Sequence, residues 1–269
     1  KELSLYIHVP FCARKCHYCH FYSLRHTKEQ AEAYLRALEQ EWYLYRDALQ
    51  HHSIVSLYFG GGTPILLKPS GIETILSFIR RDVDITASEI TIEANPDHIT
   101  AADMQAYSSL GINRVSIGVQ SFDDPLLHLL GRTHDAQQAC AAIHHTHDAG
   151  ISNISIDLMY DLPHQELTTW ESTLAQATSL PITHLSLYNL TIEPETAFSH
   201  RKEEIEKAMP GEEKSTAMYI KAIEELTKAG FSHYEISAFC REGLVSQHNT
   251  GYWKGRPFYG LGPSAFSYT

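Results

Sequence analysis

Short apolar or alternating runs take turns with stretches of helical period along almost the whole chain. Leu5–Val9, Ile54–Phe59, Glu89–Ala94, Arg114–Val119, Asn153–Leu158 and His184–Asn189 read as strands, with a weaker one at His233–Ile236. Helical period fills Lys28–Leu49, Lys68–Arg81, Ala101–Leu110, Ala136–Ala149, Leu167–Ser179 and Glu213–Ala229. Thr27 is placed to cap the first of these, with Gln30 three residues on completing a capping box. Gly111, Gly150 and Gly230 follow three helix ends, where the chain needs a left-handed residue. Strand–helix alternation of this regularity predicts βαβ units on a parallel sheet, an α/β fold curled into a closed or partly open barrel.

In such folds chemistry gathers at the carboxyl ends of the strands. A cysteine loop follows the first strand, Gly60-Gly61-Gly62-Thr63-Pro64 the second, and Glu93 ends the third. Gln120 follows the fourth strand and Asp157 sits late in the fifth. The charge-rich stretch Ser199–Lys214 reads as a solvated surface connection.

Composition narrows the class. With 269 residues, 43% of them hydrophobic, the chain can bury a sizeable core, so global disorder is excluded. A net charge of −11 argues against a general nucleic-acid binder. No apolar run is long enough to span a membrane, and the first residues lack a secretory-signal pattern. Five cysteines, three of them within eight residues, do not resemble a disulfide scaffold and point to metal in a reducing, cytoplasmic setting.

Cys12-Ala-Arg-Lys-Cys16-His-Tyr-Cys19 is a C-x3-C-x2-C run directly after a buried strand. Structural zinc takes four ligands, for which His17 or His20 could complete the set. A four-iron cluster takes one ligand per iron, so three cysteines leave one iron open, as in catalytic metal sites. A reading as three buried apolar cysteines conflicts with the polar neighbours Arg14, Lys15, His17 and His20. Cys140, amid small helical residues, and Cys240, without a partner in sequence, read as bystanders. By themselves the three glycines could form a turn, Glu93 a structural ion pair, Arg132 an exposed helix-end cation, and Asp157 a paired strand residue.

The cysteine spacing, with Tyr18 before the last cysteine, resembles the radical S-adenosylmethionine (SAM) superfamily. Tyr6-Ile-His-Val-Pro-Phe11, Phe59-Gly-Gly-Gly-Thr-Pro64, Glu93-Ala-Asn-Pro96, Ser116-Ile-Gly-Val-Gln-Ser-Phe122, Leu130-Gly-Arg132 and Ile156-Asp-Leu-Met-Tyr-Asp-Leu-Pro163 resemble one branch of it. That branch contains oxygen-independent coproporphyrinogen oxidase and the haem chaperone family HemW. Asp161 stands where the branch usually carries glycine.

The resemblance implies a partial (β/α)6 TIM-like barrel over residues 1–230 and a C-terminal extension over 231–269. Relatives usually continue into a further small C-terminal domain. It also implies a [4Fe–4S] cluster on Cys12, Cys16 and Cys19, whose open iron is chelated by SAM. Tyr6, Tyr18, Gly61, Gly62, Thr63 and Glu93 would contact that SAM, and Gln120, Arg132, Asp157 and Thr191 align with contacts to a second one.

Two positions separate the functions within the branch. Oxidases usually carry another cysteine two residues past Cys19, where this chain has Phe21; phenylalanine is the chaperone's pattern, although His20 replaces its usual aspartate. His248-Asn-Thr-Gly-Tyr-Trp253 matches the chaperone's HNxxYW signature. Imidazole is a common haem ligand and aromatic faces suit a macrocycle. Without the resemblance, His248 reads better as a histidine packed among aromatic neighbours in the tail. The expectation is a haem chaperone binding cluster, SAM and haem, with His248 as haem ligand, a haem-requiring enzyme as recipient, and a possible homodimer. The alternatives are oxidative decarboxylation of coproporphyrinogen III and, more distantly, a haem-degrading methyltransferase of the same branch.

Overall fold

A computed structural model describes residues 1–269. Strand β1 (Glu2–Val9) leads into two short strands, β2 (Phe11–Cys12) and β3 (Leu24–Arg25), then helix α1 (Lys28–Leu49) and β4 (Ser53–Gly61). The alternation continues with α2 (Lys68–Asp82), β5 (Glu89–Ala94), α3 (Ala101–Ser109) and β6 (Arg114–Gln120). Next come α4 (Asp124–Leu129), α5 (Ala136–Asp148), β7 (Asn153–Tyr160), α6 (Leu167–Ser179) and β8 (His184–Asn189). Beyond β8 lie α7 (Lys202–Ala208), α8 (Glu212–Lys228), β9 (Ser232–Glu235), β10 (Ala238–Cys240), α9 (Gln247–Trp253) and β11 (Phe258–Leu261).

One nine-stranded sheet runs β11-β1-β4-β5-β6-β7-β8-β10-β9. Its strands are parallel from β11 to β8, and β10 and β9 close that edge antiparallel. The two edge strands do not pair with each other, so the expected barrel is an open one. Residues past 230 extend both edges of the same sheet: β9 and β10 on one side, β11 beside β1 on the other.

Alternation along the strands sorts two faces. On β1, Leu3, Leu5, Ile7 and Val9 join the main apolar cluster with Trp42, Phe78 and Trp170 from the helices. The opposite parity carries Ser4, Ser56, Thr91, Arg114, Ser116, Ser155, His184 and Ser186, all buried yet polar. A purely structural barrel fills its interior with branched apolar side chains; a polar inner wall costs stability and is suited to holding polar groups.

The caps follow the sequence with one shift of emphasis. Thr27 Oγ1 accepts from the Gln30 N–H at 3.2 Å, but the reciprocal capping box forms instead at Asp135 and Gln138. Gly111, Gly150 and Gly230 each adopt φ +86°, as the helix ends require. The charge-rich stretch is not a plain connection. It contains α7, because Ile205, 2% exposed, anchors this seven-residue helix in a second apolar cluster with Phe198, Leu162 and Leu190.

Candidate metal and cofactor site

The cysteine loop is pinned at both ends. At its base β2 pairs with β3, and buried Phe11 packs edge-on against Tyr34 of α1 at 5.5 Å. At its far side the His17 N–H donates to the Leu130 carbonyl at 3.0 Å, and the Phe198 N–H to the His17 carbonyl at 2.9 Å. The thiols therefore sit on a loop held between β1 and the α4–α5 connection, at the carboxyl ends of the strands.

The glycine run passes directly beneath this loop. A Cβ on Gly62 would lie 2.5 Å from the Phe11 carbonyl oxygen, and one on Gly61 would lie 2.7 Å from the His8 ring. Gly61 also adopts φ +108°, a region side chains rarely enter. The N–H groups of Gly61, Gly62 and Thr63 donate to Glu93, the Val9 carbonyl and the Phe11 carbonyl respectively. These N–H groups are therefore spent inside the protein. What demands glycine is the crossing of two loops at van der Waals distance.

Around the loop lies a cavity of 360 Å³ lined by Cys12, Cys16, Tyr18 and Cys19 on one side. Gly61, Gly62, Thr63, Glu93, Gln120, Arg132, Asp157 and Thr191 line the rest. Twelve of the fourteen residues singled out in the sequence thus meet in one place. Gln120 reaches it because the ladder between β6 and β7 shifts register there and its backbone turns left-handed, φ +67°.

Within the cavity, Glu93 accepts from Tyr58 Oη at 2.9 Å and from the Gly61 N–H at 3.1 Å. Burial and the nearby Asp157 charge push its pKa up to about 7. Asp157, opposite, is raised to about 6 by burial, against the pull of Arg114 and two serine hydroxyls. Arg132 donates to Asn95 Oδ1 at 2.7 Å, to the Gly118 carbonyl at 2.6 Å, and to Cys16 Sγ at 3.3 Å. It is a clamp at the strand ends and not an exposed helix-end cation. Thr63 Oγ1 approaches Cys12 Sγ at 3.8 Å, and burial pushes the Cys12 and Cys19 thiols up.

Tyr6 and His248 do not line the cavity. Tyr6 stacks on Tyr58 at 6.1 Å, below Glu93, and bonds His8 Nδ1 through its hydroxyl at 3.2 Å. His248 lies deeper, on α9, 2% exposed. Its Nδ1 pairs with Ser56 Oγ at 2.9 Å, its Nε2 with Tyr252 Oη at 2.8 Å, and its ring lies 4.8 Å from Tyr58. Burial lowers its pKa to about 3, with Arg114 and Arg256 adding to the effect. In this arrangement both ring nitrogens are taken and the residue is packed among aromatic neighbours; iron coordination there requires at least one of these bonds to break. Cys140 accepts from Gln176 Nε2 at 3.1 Å and Cys240 is buried, so neither faces the loop.

Residues 6–177 match the family model for the radical SAM superfamily. Along its full length the chain is 34% identical to the haem chaperone HemW of Lactococcus lactis, spanning 70% of that protein. It is 38% identical to HemW of Escherichia coli over 98% of this chain and 69% of that one. The chain belongs to the radical SAM superfamily, in its HemW family.

A mitochondrial radical SAM domain-containing protein 1 of zebrafish is 35% identical over 98% of this chain, which spans 60% of that protein's length. Among solved structures, Escherichia coli coproporphyrinogen III oxidase HemN, a radical SAM enzyme, superimposes with a TM-score of 0.87 at 27% identity. That match covers 98% of this chain and 64% of HemN. Methylornithine synthase, at 11% identity and a TM-score of 0.59, shares the fold.

Membership implies a [4Fe–4S] cluster and SAM, and the donor set fits both. No three His, Cys, Asp or Glu side chains converge on a single-ion position. A four-iron cluster spreads its ligands over a cube, one thiolate per iron, and three thiols lining one wall of the cavity meet that demand. Arg132 supplies positive charge next to the Cys16 sulfur, and its buried Nε is left without a partner. Cys12, Cys16 and Cys19 are the residues that would hold the cluster, and the chemistry it would supply there is one-electron reduction of SAM. The chain's own part is to hold the thiols on the pinned loop and to present the Glu93 and Asp157 carboxyl groups to the same cavity.

Several cavity residues escaped sequence reading. Asn95 bridges Arg132 and Thr63, and Tyr188 and Asn189 line the wall at the end of β8. Asn95 stands inside the Glu93–Pro96 motif and could have been assigned from it. Tyr188 carries no sequence signal beyond its place at a strand end.

Proposed function

We propose that this chain is the radical SAM core of a haem chaperone: it binds cluster, SAM and haem, and passes haem to a haem-requiring enzyme. The observation that carries this reading is Phe21. The position two residues past Cys19 holds an aromatic side chain, 58% exposed at the cavity rim, where an oxidase would carry a thiol. An exposed aromatic face at the mouth of a polar cavity suits a flat macrocycle better than it suits a second cysteine's chemistry. Identities of 34% and 38% to the two HemW proteins, against 27% to HemN, point the same way. In this reading the protein works in a reducing compartment, which keeps the clustered thiols reduced.

The second reading, oxidative decarboxylation of coproporphyrinogen III, is favoured by the likeness to HemN over nearly the whole chain. One pair of assays on the anaerobically reconstituted chain separates them. The carrier reading expects stoichiometric haem binding, transfer of haem to an apo-enzyme, and no turnover of coproporphyrinogen under reducing conditions. Protoporphyrinogen formation at a catalytic rate would establish the oxidase instead.

A further inference from the structure

Imidazole is a common haem ligand, and His248 is enclosed with both ring nitrogens bonded. His20 is the one histidine among the residues lining the cavity. It is exposed, its ring lies 5.0 Å from Phe21 at 42°, and neither of its nitrogens carries a hydrogen bond. Phe21 of the cysteine loop and Tyr188 of β8 both line the same cavity and stay 58% and 47% exposed. Exposed aromatic side chains and a free imidazole on one cavity are the elements of a porphyrin site: flat apolar contact and an axial nitrogen.

Charge on the rim is asymmetric. Arg14 and Lys15, on the cysteine loop, line the cavity, are exposed, and enter no ion pair. Glu193 lines it beyond β8, so the cationic edge lies on the loop side. Haem carries its two propionates on one edge, and guanidinium and ammonium groups are their natural partners.

We propose that haem docks across the mouth of this cavity, with His20 as an axial ligand, Phe21 and Tyr188 against the macrocycle, and Arg14 and Lys15 on the propionates. The assignment rests on the haem-carrier reading above and adds the site. It puts the bound macrocycle over the SAM cavity and against the loop that holds the cluster. Ligation involves no change of oxidation state: ferric iron accepts the lone pair of a neutral imidazole, and a weaker ligand such as water leaves.

The test is titration of ferric haem into the cluster-loaded chain under anaerobic conditions, read by absorption and by electron paramagnetic resonance. Wild type is expected to show an imidazole-ligated spectrum. His20→Ala is expected to lose that spectrum and to bind haem about tenfold more weakly or worse, with added imidazole restoring the spectrum. The Arg14→Ala/Lys15→Ala double variant is expected to weaken binding by about tenfold with the spectrum unchanged. Iron and sulfide counts check that each variant keeps its cluster. Should His20→Ala lose it, His20→Asn, which keeps a polar side chain in the loop, takes its place in the same titration. An unchanged spectrum and affinity without the His20 imidazole overturn the proposal while leaving the carrier reading standing. Wild-type chain that binds no haem overturns the carrier reading itself.

Discussion

The enclosure of His248 can be measured through its proton. In the folded chain its pKa is lowered to about 3, chiefly by burial, whereas the ordinary imidazole value is 6.5. Below pH 6.5 the unfolded chain therefore binds a proton at this residue that the folded chain refuses. Stability from this group is complete above pH 6.5 and falls as pH drops toward 3. At pH 5 the loss is 1.5 units at about 1.4 kcal/mol each, or roughly 2 kcal/mol.

The wild-type curve alone cannot isolate this. His134, lowered to about 4, acts in the same direction. Glu93 and Asp157, raised to about 7 and about 6, act oppositely, since they are protonated in the fold where the unfolded chain is ionised. His248→Gln removes one titration and leaves the others. Urea unfolding at pH 8 should find the variant less stable by about 1–3 kcal/mol, from its imperfect replacement of the bonds to Ser56 and Tyr252. At pH 5 that gap should shrink by about 2 kcal/mol. A gap that is the same at both pH values would mean the imidazole faces water, and the enclosure of His248 on α9 would be wrong.

Three further outcomes follow from the same geometry. Cys16→Ala should abolish the cluster, dropping bound iron and sulfide from about four each per chain to near zero after anaerobic reconstitution; zinc without sulfide in wild type would contradict the donor-set argument. Gly62→Ala drives a methyl to 2.5 Å from the Phe11 carbonyl, and should cost about 1–3 kcal/mol in urea unfolding and loosen the cysteine loop. Asp161 holds φ +61°, so Asp161→Val should destabilise by about 1–2 kcal/mol whereas Asp161→Gly should cost little. Equal effects of the two Asp161 substitutions would remove backbone strain as the reason the wider branch carries glycine there.

Much of the architecture was legible in the chain because the signals are local. All six parallel strands of the core from β1 to β8 follow runs whose apolar residues face the helices, and those runs are visible at period two or as continuous blocks. The three thiols needed no fold to be noticed, since one loop carries them all. Helix α7 was hidden because a single buried isoleucine, Ile205, anchors a segment otherwise rich in charge. β11 was hidden for a different reason: four residues containing a glycine make a strand only because β1 is there to pair with them.

The sequence by itself determined the kind of protein: which segments become strands and helices, which donors are available for a metal, and which branch of the superfamily the motifs match. Those are properties of side-chain identity and spacing, and they survive in an unfolded chain. Tertiary structure decided what each group is free to do. It spent the glycine N–H groups on Glu93, Val9 and Phe11, turned Arg132 into a clamp, and sealed His248 between Ser56 and Tyr252. It left His20 with both nitrogens open at the cavity rim. Solvent exposure and hydrogen-bond partnership come from residues distant in sequence meeting in space, so the same imidazole reads alike in both places until the fold is known.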